Sequence, residues 1–225
     1  MKRTPPAATD VTHAEVALSG LHAFRPEPLP FAPKLHIRAF LLQRDQANFL
    51  VYGAPGLGPD AETIRELGGA SRQYLNHWHE AMFMPDAIPA PVFIHEQDSS
   101  PASQRTQVDD TFSHRHLIDD DFEVIPIPGH TSGATAYLWN SGRHRFLFTG
   151  DSIILDEGTW VAAVLDSSDR ARYIESLELI RELDFDVLVP WAASADHPFY
   201  AATDAQDAGQ RIDAMLERLR RGEDH

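Results

Sequence analysis

Short runs in which apolar and polar residues alternate predict that β-strands make up most of the first two thirds of the chain. The predicted strands cover residues 14–19, 35–43, 48–53, 72–76, 91–95, 122–127, 134–139, 145–148 and 186–189. Residues typical of turns, such as Asn140-Ser141-Gly142, separate several of these strands. The pattern therefore predicts a protein built largely from β-sheets.

Apolar residues three and four positions apart predict helices at 60–67, 169–183 and 207–220. The inward stripes of the last two are Tyr173, Ile174, Leu177, Ile180 and Leu183, and then Ile212, Met215, Leu216 and Leu219. The polar segment 97–110 is predicted to be a surface loop, with a helical turn within it left open. Because strands come first and later alternate with helices, we expect an α/β protein in which two packed sheets carry helices outside, a four-layer αββα sandwich.

The length and composition fit a single domain over residues 1–225, with residues 1–12 as a flexible arm. Hydrophobic residues make up 43% of the chain and charged residues 24%, as in ordinary globular proteins. No apolar run reaches the roughly 18 residues of a membrane-spanning helix. The two basic residues near the N-terminus are not followed by the apolar stretch of a secretory signal. We therefore expect a cytoplasmic protein.

The formal net charge of −15 argues against binding to nucleic acid or to anionic membranes, which such a surface repels. We expect a small-molecule substrate instead, and we leave a homodimer open. The chain has no cysteine, which excludes disulfides, thiolate ligands and a cysteine nucleophile. It does have 12 histidines, and several follow predicted strands. These histidines are the main candidates for chemistry.

His77 and His79 are separated by one residue directly after a predicted strand. In an extended segment, residues two apart point to the same side, so both imidazoles can reach one metal ion. The spacing alone also fits two polar loop histidines. Glu80, the next residue, is either an acceptor behind the ligands, a general base or a solvated carboxylate.

Two further loops place a polar side chain after a strand and a glycine. His130 lies in Pro128-Gly129-His130-Thr131-Ser132-Gly133, and Asp151 follows Gly150. Glycine permits the sharp turn that each loop needs. Three histidines and one carboxylate are ligands that suit zinc, iron or manganese. Together, the three loops favour a metal site over three unrelated turns.

These motifs resemble those of the metallo-β-lactamase superfamily over roughly residues 14–200. That family carries H-x-H-x-D-H, then P-G-H-T-x-G, then G-D, and a late histidine after a final strand. The match to P-G-H-T-x-G is complete at 128–133. The resemblance implies that His77, His79 and His130 bind a first metal ion and that Asp151, as the family's bridging aspartate, is a further metal ligand.

The chain departs from the family pattern where a second metal ion would bind. The family's aspartate and last histidine of H-x-H-x-D-H fall on Ala81 and Met82, and its late histidine falls on Ala192. Neither an alanine nor a thioether replaces a carboxylate or an imidazole for such a cation. The resemblance therefore implies one divalent metal ion, zinc first and iron second, with Met82 filling the space of the other.

Three more histidines are candidate ligands. His197 follows the last predicted strand and is either a surface residue or a group that reaches the cleft. His114 and His116 repeat the spacing of two but precede a strand where the family has no ligand, so we expect both on the surface.

The predicted function is hydrolysis of an ester, thioester or lactone by water that a single metal ion activates. Asp151 and Glu80 are the candidate catalytic residues. One alternative is a mononuclear iron oxidoreductase similar to persulfide dioxygenases, which bind iron with two histidines and an aspartate. Another is an inactive binding protein of the same fold. Phosphodiester cleavage is disfavoured, because relatives with that activity clamp the substrate between two metals.

Overall fold

A computed structural model describes residues 9–12, 17–87 and 90–223 of the chain. Its strands, in chain order, are β1 (Thr9–Thr12), β2 (Ala17–Ala23), β3 (Glu27–Leu29), β4 (Ala32–Ile37), β5 (Phe40–Leu42), β6 (Phe49–Val51), β7 (Arg72–Tyr74), β8 (Val92–His95), β9 (Asp110–Phe112), β10 (His116–Ile118), β11 (Phe122–Pro126), β12 (Thr135–Asn140), β13 (Arg145–Gly150), β14 (Ile154–Asp156), β15 (Thr159–Val161), β16 (Val187–Pro190), β17 (Ala192–Ser194) and β18 (Ala201–Ala202). The α-helices are α1 (Ala61–Glu66), α2 (Glu96–Ala102), α3 (Arg170–Arg181) and α4 (Ala205–Arg220), and 3-10 helices lie at Pro55–Leu57 and Trp78–Phe83.

Two large sheets form the centre of the fold. The first has the strand order β1-β2-β5-β6-β7-β8-β9, and the second has the order β10-β11-β12-β13-β16-β18. A smaller third sheet has the order β15-β14-β17-β4-β3. Its strands come from segments that follow strands of the two large sheets in the chain. Because β13 and β16 are parallel, both of these strands end at the same edge of the second sheet.

Alternation along the strands divides the core into layers. Phe146 and Phe148 of β13 face the first sheet in one apolar cluster, whereas Leu147 between them belongs to the cluster under α3 and α4. Leu41 of β5 likewise points outward, into the cluster that includes Ile64 of α1. The side chains of a strand point alternately to its two faces, so each sheet is covered on both sides. The predicted αββα sandwich is confirmed.

The last two helices cover the second sheet as their periodicity predicts. Tyr173, Leu177 and Ile180 of α3 are buried, as are Ile212 and Leu219 of α4. The carboxylates of Asp169 and Asp204 accept hydrogen bonds from backbone N–H groups of the first turns and so cap the two helices. Of the helices in the described residues, none has both the length and the apolar character that crossing a bilayer requires.

Some element boundaries differ from the predictions. The strand predicted at 35–43 is two strands, β4 and β5, which belong to different sheets. The surface loop predicted at 97–110 begins with α2, which packs against the first sheet. Of the arm expected at 1–12, residues 1–8 lie outside the described part, and Thr9–Thr12 form β1, paired with β2.

Candidate metal centre

The predicted ligands meet at one edge of the sandwich because each follows the end of a strand. His77 and His79 come after β7, His130 comes after β11, and Asp151 comes directly after β13. Hydrogen bonds join these strand ends across the two sheets. The backbone N–H of Thr135 donates to the carbonyl of Asn76 at 2.9 Å. Residues far apart in the sequence are therefore held in one place.

The three histidines form a compact group. Metal-ligating atoms of His77, His79 and His130 all lie within 4.8 Å of one another. Nδ1 of His79 and Nε2 of His130 are 3.2 Å apart. Two nitrogens bound tetrahedrally to one zinc ion at 2.0–2.1 Å are separated by about 3.3 Å. The spacing of this pair thus suits a shared ion.

Hydrogen bonds on the far side of two rings determine which nitrogen faces the centre. Nδ1 of His130 lies 2.6 Å from the carbonyl oxygen of Ala163, an acceptor, so this nitrogen carries the proton. Nδ1 of His77 lies 3.0 Å from Oδ1 of Asn76 and 3.3 Å from Oε1 of Glu80. Both histidines are therefore left with Nε2 as the free electron-pair donor, as a metal ligand requires.

Asp151 lies beside two of the three histidines. Its Oδ2 lies 3.5 Å from Nε2 of His77 and 3.8 Å from Nε2 of His130. Its Oδ1 is buried without a hydrogen-bond partner, and so is Nε2 of His77. Buried polar atoms without partners are rare in native proteins and are often explained by an ion. The donor set and these two atoms fit one divalent cation.

Glu80 lies behind the histidines. Its side chain is fully buried, and its carboxylate accepts hydrogen bonds from the backbone N–H groups of Gly53 and Asn76 in addition to facing His77. Of the three roles left open by the sequence, the solvated carboxylate is excluded. Since both oxygens are occupied, the geometry favours a residue that positions His77 over a general base that contacts substrate.

Two supporting residues were missed by the sequence analysis. Asp98 of α2 is buried and accepts hydrogen bonds from the N–H groups of Trp78 and Gly133 and from the hydroxyl of Thr131. It thereby joins the loop of His79 to the loop of His130. Asp98 lies in a segment predicted to be a surface loop. Nothing in the sequence indicated its role beyond a carboxylate in what proves to be the first turn of α2.

Asn76 is the second missed residue. It contacts the ring of His77 through Oδ1 and donates from Nδ2 to the carbonyl of Thr135. Its amide occupies the place where a β-carbon on Gly150 would lie, 2.0 Å from Oδ1 of Asn76. Gly150 also has a positive φ of 57°. The glycine before Asp151 is thus required by the support of His77.

The charges of the three imidazoles differ without a metal ion. Burial lowers the pKa of His77, but the neighbouring carboxylates of Asp151 and Glu80 outweigh burial and raise it to about 10. Burial lowers the pKa of His79 to about 3 and that of His130 to about 4, and the charge of His77 adds to both shifts. Burial raises the pKa of Asp151, yet its contact with His77 holds it below the ordinary value. The centre therefore holds one positive charge beside an ionised Asp151.

The positions that align with the family's second-metal ligands are apolar in this chain. Ala81 is buried in a cluster with Leu75 and Val92, and Ala192 is buried in the core between the sheets. Met82, predicted to fill the space of a second ion, lies on the 3-10 helix with 44% of its side chain exposed. The ring of Trp191, next to Ala192 in the chain, packs against His77, and the two ring centroids are 5.4 Å apart.

The other histidines do not join the group. Among the described residues, the metal-ligand group contains neither His197 nor the pair His114 and His116. His197 and His114 are exposed and His116 is half-buried on β10. The sequence-based expectation for His114 and His116 agrees with these positions.

The chain belongs to the metallo-beta-lactamase superfamily, since the model of that family matches residues 60–192, more than half of the chain. Among solved structures, it is similar to a metallo-beta-lactamase from Pontibacter korlensis, with 15% identity, a TM-score of 0.65 and coverage of 93% of this chain and 98% of that one.

A family protein from Thermus thermophilus is also similar, with 18% identity, a TM-score of 0.62 and coverage of 92% and 81%. An archaeal superfamily protein from Sulfolobus tokodaii has 16% identity, a TM-score of 0.59 and coverage of 88% and 86%. No curated protein sequence matches the chain. Such low identities establish the fold and not the substrate.

Proposed function

We propose that this protein is a metal-dependent hydrolase that uses one divalent metal ion, zinc in the first instance, to cleave an ester, thioester or lactone bond. The observation that carries the proposal is the convergence of three imidazoles, two of them with Nε2 facing the centre. Three neutral imidazoles are a known catalytic zinc set that leaves a coordination position open. A metal ion held there would act as a Lewis acid and lower the pKa of water.

The protein residues around the ion have separate tasks in this proposal. Asp151 is half-buried, ionised and adjacent to two of the ligands, so its carboxylate can orient a water molecule and accept its proton. Glu80 and Asn76 hold the ring of His77 by its Nδ1. The carbonyl of Ala163 does the same for His130. Such supporting contacts keep ligands in a reactive orientation.

The apolar residues at the positions of the family's second-metal ligands argue for a single metal ion. Ala81 and Ala192 offer no ligand atoms, and Trp191 packs against His77. Phosphodiesterases commonly stabilise the attacking and leaving oxygens with two metals. The site therefore supports acyl-group hydrolysis better than phosphodiester cleavage.

A mononuclear iron oxidoreductase is the second candidate. The observation that favours it is the position of Asp151 Oδ2, within 3.8 Å of Nε2 of both His77 and His130. Two histidines and a carboxylate are the ligand set of many non-haem iron oxygenases. Iron content together with oxygen consumption in the presence of a persulfide would favour this candidate over the hydrolase.

The hydrolase is tested with 4-nitrophenyl acetate, an S-acyl thioester and a γ-lactone, each with chelator-treated and zinc-loaded protein. We expect zinc-dependent hydrolysis of at least one compound. Asp151→Asn should lower kcat about 10²- to 10⁴-fold, because a positioned proton acceptor contributes that much. Asp45→Asn, at an exposed position, should leave kcat unchanged. Equal rates with and without zinc, or no hydrolysis of any compound, would contradict the proposal.

A further inference from the structure

Arg38 lies at the same edge of the sandwich as the candidate metal centre. It connects β4 to β5, and its backbone N–H donates to the carbonyl of Trp191 at 3.3 Å. The indole of Trp191 packs in turn against His77. Two residues after Arg38, Phe40 begins β5 and contacts Tyr52 in the core between the sheets. Trp191 therefore lies between the backbone of Arg38 and a predicted metal ligand.

The guanidinium of Arg38 has no polar partner in the described part of the chain. Its carbon lies 4.3 Å from the centre of the Phe199 ring, and its Nε is buried without a hydrogen bond. By contrast, the buried guanidinium of Arg44 forms ion pairs with both Asp119 and Asp121. Burial alone lowers the pKa of Arg38 to about 10.

Leaving a half-buried guanidinium unpaired costs free energy, because the group loses hydration without gaining hydrogen bonds. The chain has 34 acidic residues against 19 basic ones, so carboxylates are plentiful. Even so, the neighbours of Arg38 that the structure gives, Trp191 and Phe199, are uncharged. A ligand with a negative charge would satisfy the donors of this arginine.

We infer that Arg38 binds a carboxylate group of the substrate, which makes the substrate an anionic ester, thioester or lactone. The substrate class rests on the proposed function. A guanidinium carries one charge and a planar set of donors that matches one carboxylate in a bidentate manner. A phosphate dianion is less well matched, because the residues in contact with Arg38 add no second cation.

The position of Arg38 suits this role. Ile37 pairs in register with Ala192, the position where family members carry a second-metal histidine. The backbone of Arg38 thus adjoins the segment where those ligands are absent. Phe199 stacks on the guanidinium and restricts its movement. Arg38 would determine which acyl compounds bind, whereas the three histidines and Asp151 would act on the bond that breaks.

The binding of a carboxylate is tested by NMR on the ¹⁵N-labelled full chain. The Nε–Hε signal of Arg38 is identified by its absence from the spectrum of Arg38→Lys. We expect succinate to shift this signal saturably, and the neutral succinamide to leave it in place. The same shift should occur in chelator-treated protein, which separates contact with Arg38 from binding to a metal ion. The signal of the exposed Arg65 is the internal control.

The kinetic part compares the 4-nitrophenyl monoester of succinate with the neutral 4-nitrophenyl butyrate. Arg38→Gln should lower kcat/KM for the anionic ester about 10- to 100-fold more than for the neutral one, the loss expected for a charge-assisted hydrogen bond. Arg65→Gln should change neither. Arg38→Lys keeps the charge and should lose less than Arg38→Gln.

The inference is overturned if succinate produces no saturable shift, if succinamide produces the same shift, or if the shift disappears with the metal. It is also overturned if both esters lose equally in a folded Arg38→Gln. A saturable shift without hydrolysis of either ester would leave the carboxylate site in place and would count against the proposed hydrolase alone.

Discussion

At the scale of single residues, His77 is the histidine of the candidate metal centre whose pKa is raised, whereas the pKa values of His79 and His130 are lowered. Asp151 and Glu80 raise its pKa to about 10, above an ordinary value of 6.5. The folded protein without metal therefore retains a proton on His77 that the unfolded chain has lost above neutral pH. A metal ion on Nε2 would replace that proton, because a ligating histidine must be neutral.

This difference makes the stability of the metal-free protein depend on pH. The stabilisation from His77 is fully present below pH 6.5 and is lost as the pH rises through about 10. We therefore expect the free energy of unfolding to fall across that window, by at most about 1.4 kcal/mol per pH unit for one proton. Urea denaturation of chelator-treated protein at several pH values measures it.

Two controls accompany the pH measurement. Zinc-loaded protein and the His77→Asn variant should both lack the decline that is due to His77. A metal-free protein whose stability is constant from pH 6.5 to 10 would show that His77 is not protonated in the way the structure indicates.

At the scale of elements, the turn between β13 and Asp151 depends on Gly150. A β-carbon there would meet the amide of Asn76, whereas one at Gly158 would meet nothing within 4 Å. Both glycines have positive φ. Gly158→Ala should therefore cost roughly 1–2 kcal/mol from backbone conformation alone.

Gly150→Ala adds a steric clash and should cost about 2–5 kcal/mol in total. It should also weaken metal binding, since Asn76 orients His77. Urea denaturation and zinc titration of the two variants measure both effects. Equal losses of stability would show that Asn76 moves aside without cost.

Helix α2 joins two of the ligand-bearing loops through Asp98. In Asp98→Asn an amide NH₂ faces backbone N–H donors, which costs about 1–3 kcal/mol. We also expect zinc affinity to fall about 10- to 100-fold, as when other supporting groups of metal ligands are changed. Glu96→Gln, an exposed change in the same helix, is the control. Unchanged zinc affinity in Asp98→Asn would mean that the loops hold their positions without α2.

The elements also show what the sequence can and cannot predict. Strong periodicity located α3 and α4 with their buried stripes, because packing on one face leaves a regular pattern. The break between β4 and β5 carries no glycine or proline, so nothing local marks the point where the chain changes sheets. The 3-10 helix after His77 rotates Ala81 and Met82 to positions that spacing alone could not give.

At the scale of the whole molecule, the sandwich brings together four side chains from three distant parts of the chain. Motif spacing predicted that His77, His79, His130 and Asp151 lie together, because side chains that follow the ends of neighbouring strands meet at one edge of a sheet. The supporting contacts of Asn76 and Asp98, and the unpaired guanidinium of Arg38, depend on how elements pack against one another. Such contacts have no signature in a single sequence, so these roles required the three-dimensional structure.

The number of metal ions per chain tests the assignment most directly. Untagged protein is dialysed to equilibrium against zinc, and its metal content is measured by inductively coupled plasma mass spectrometry. We predict about one zinc ion per chain in the wild type and in His114→Ala, and far less in His77→Ala, which removes one of three imidazoles. A wild type without zinc, a wild type with two zinc ions, or an unchanged content in His77→Ala would contradict a single ion held by the three histidines.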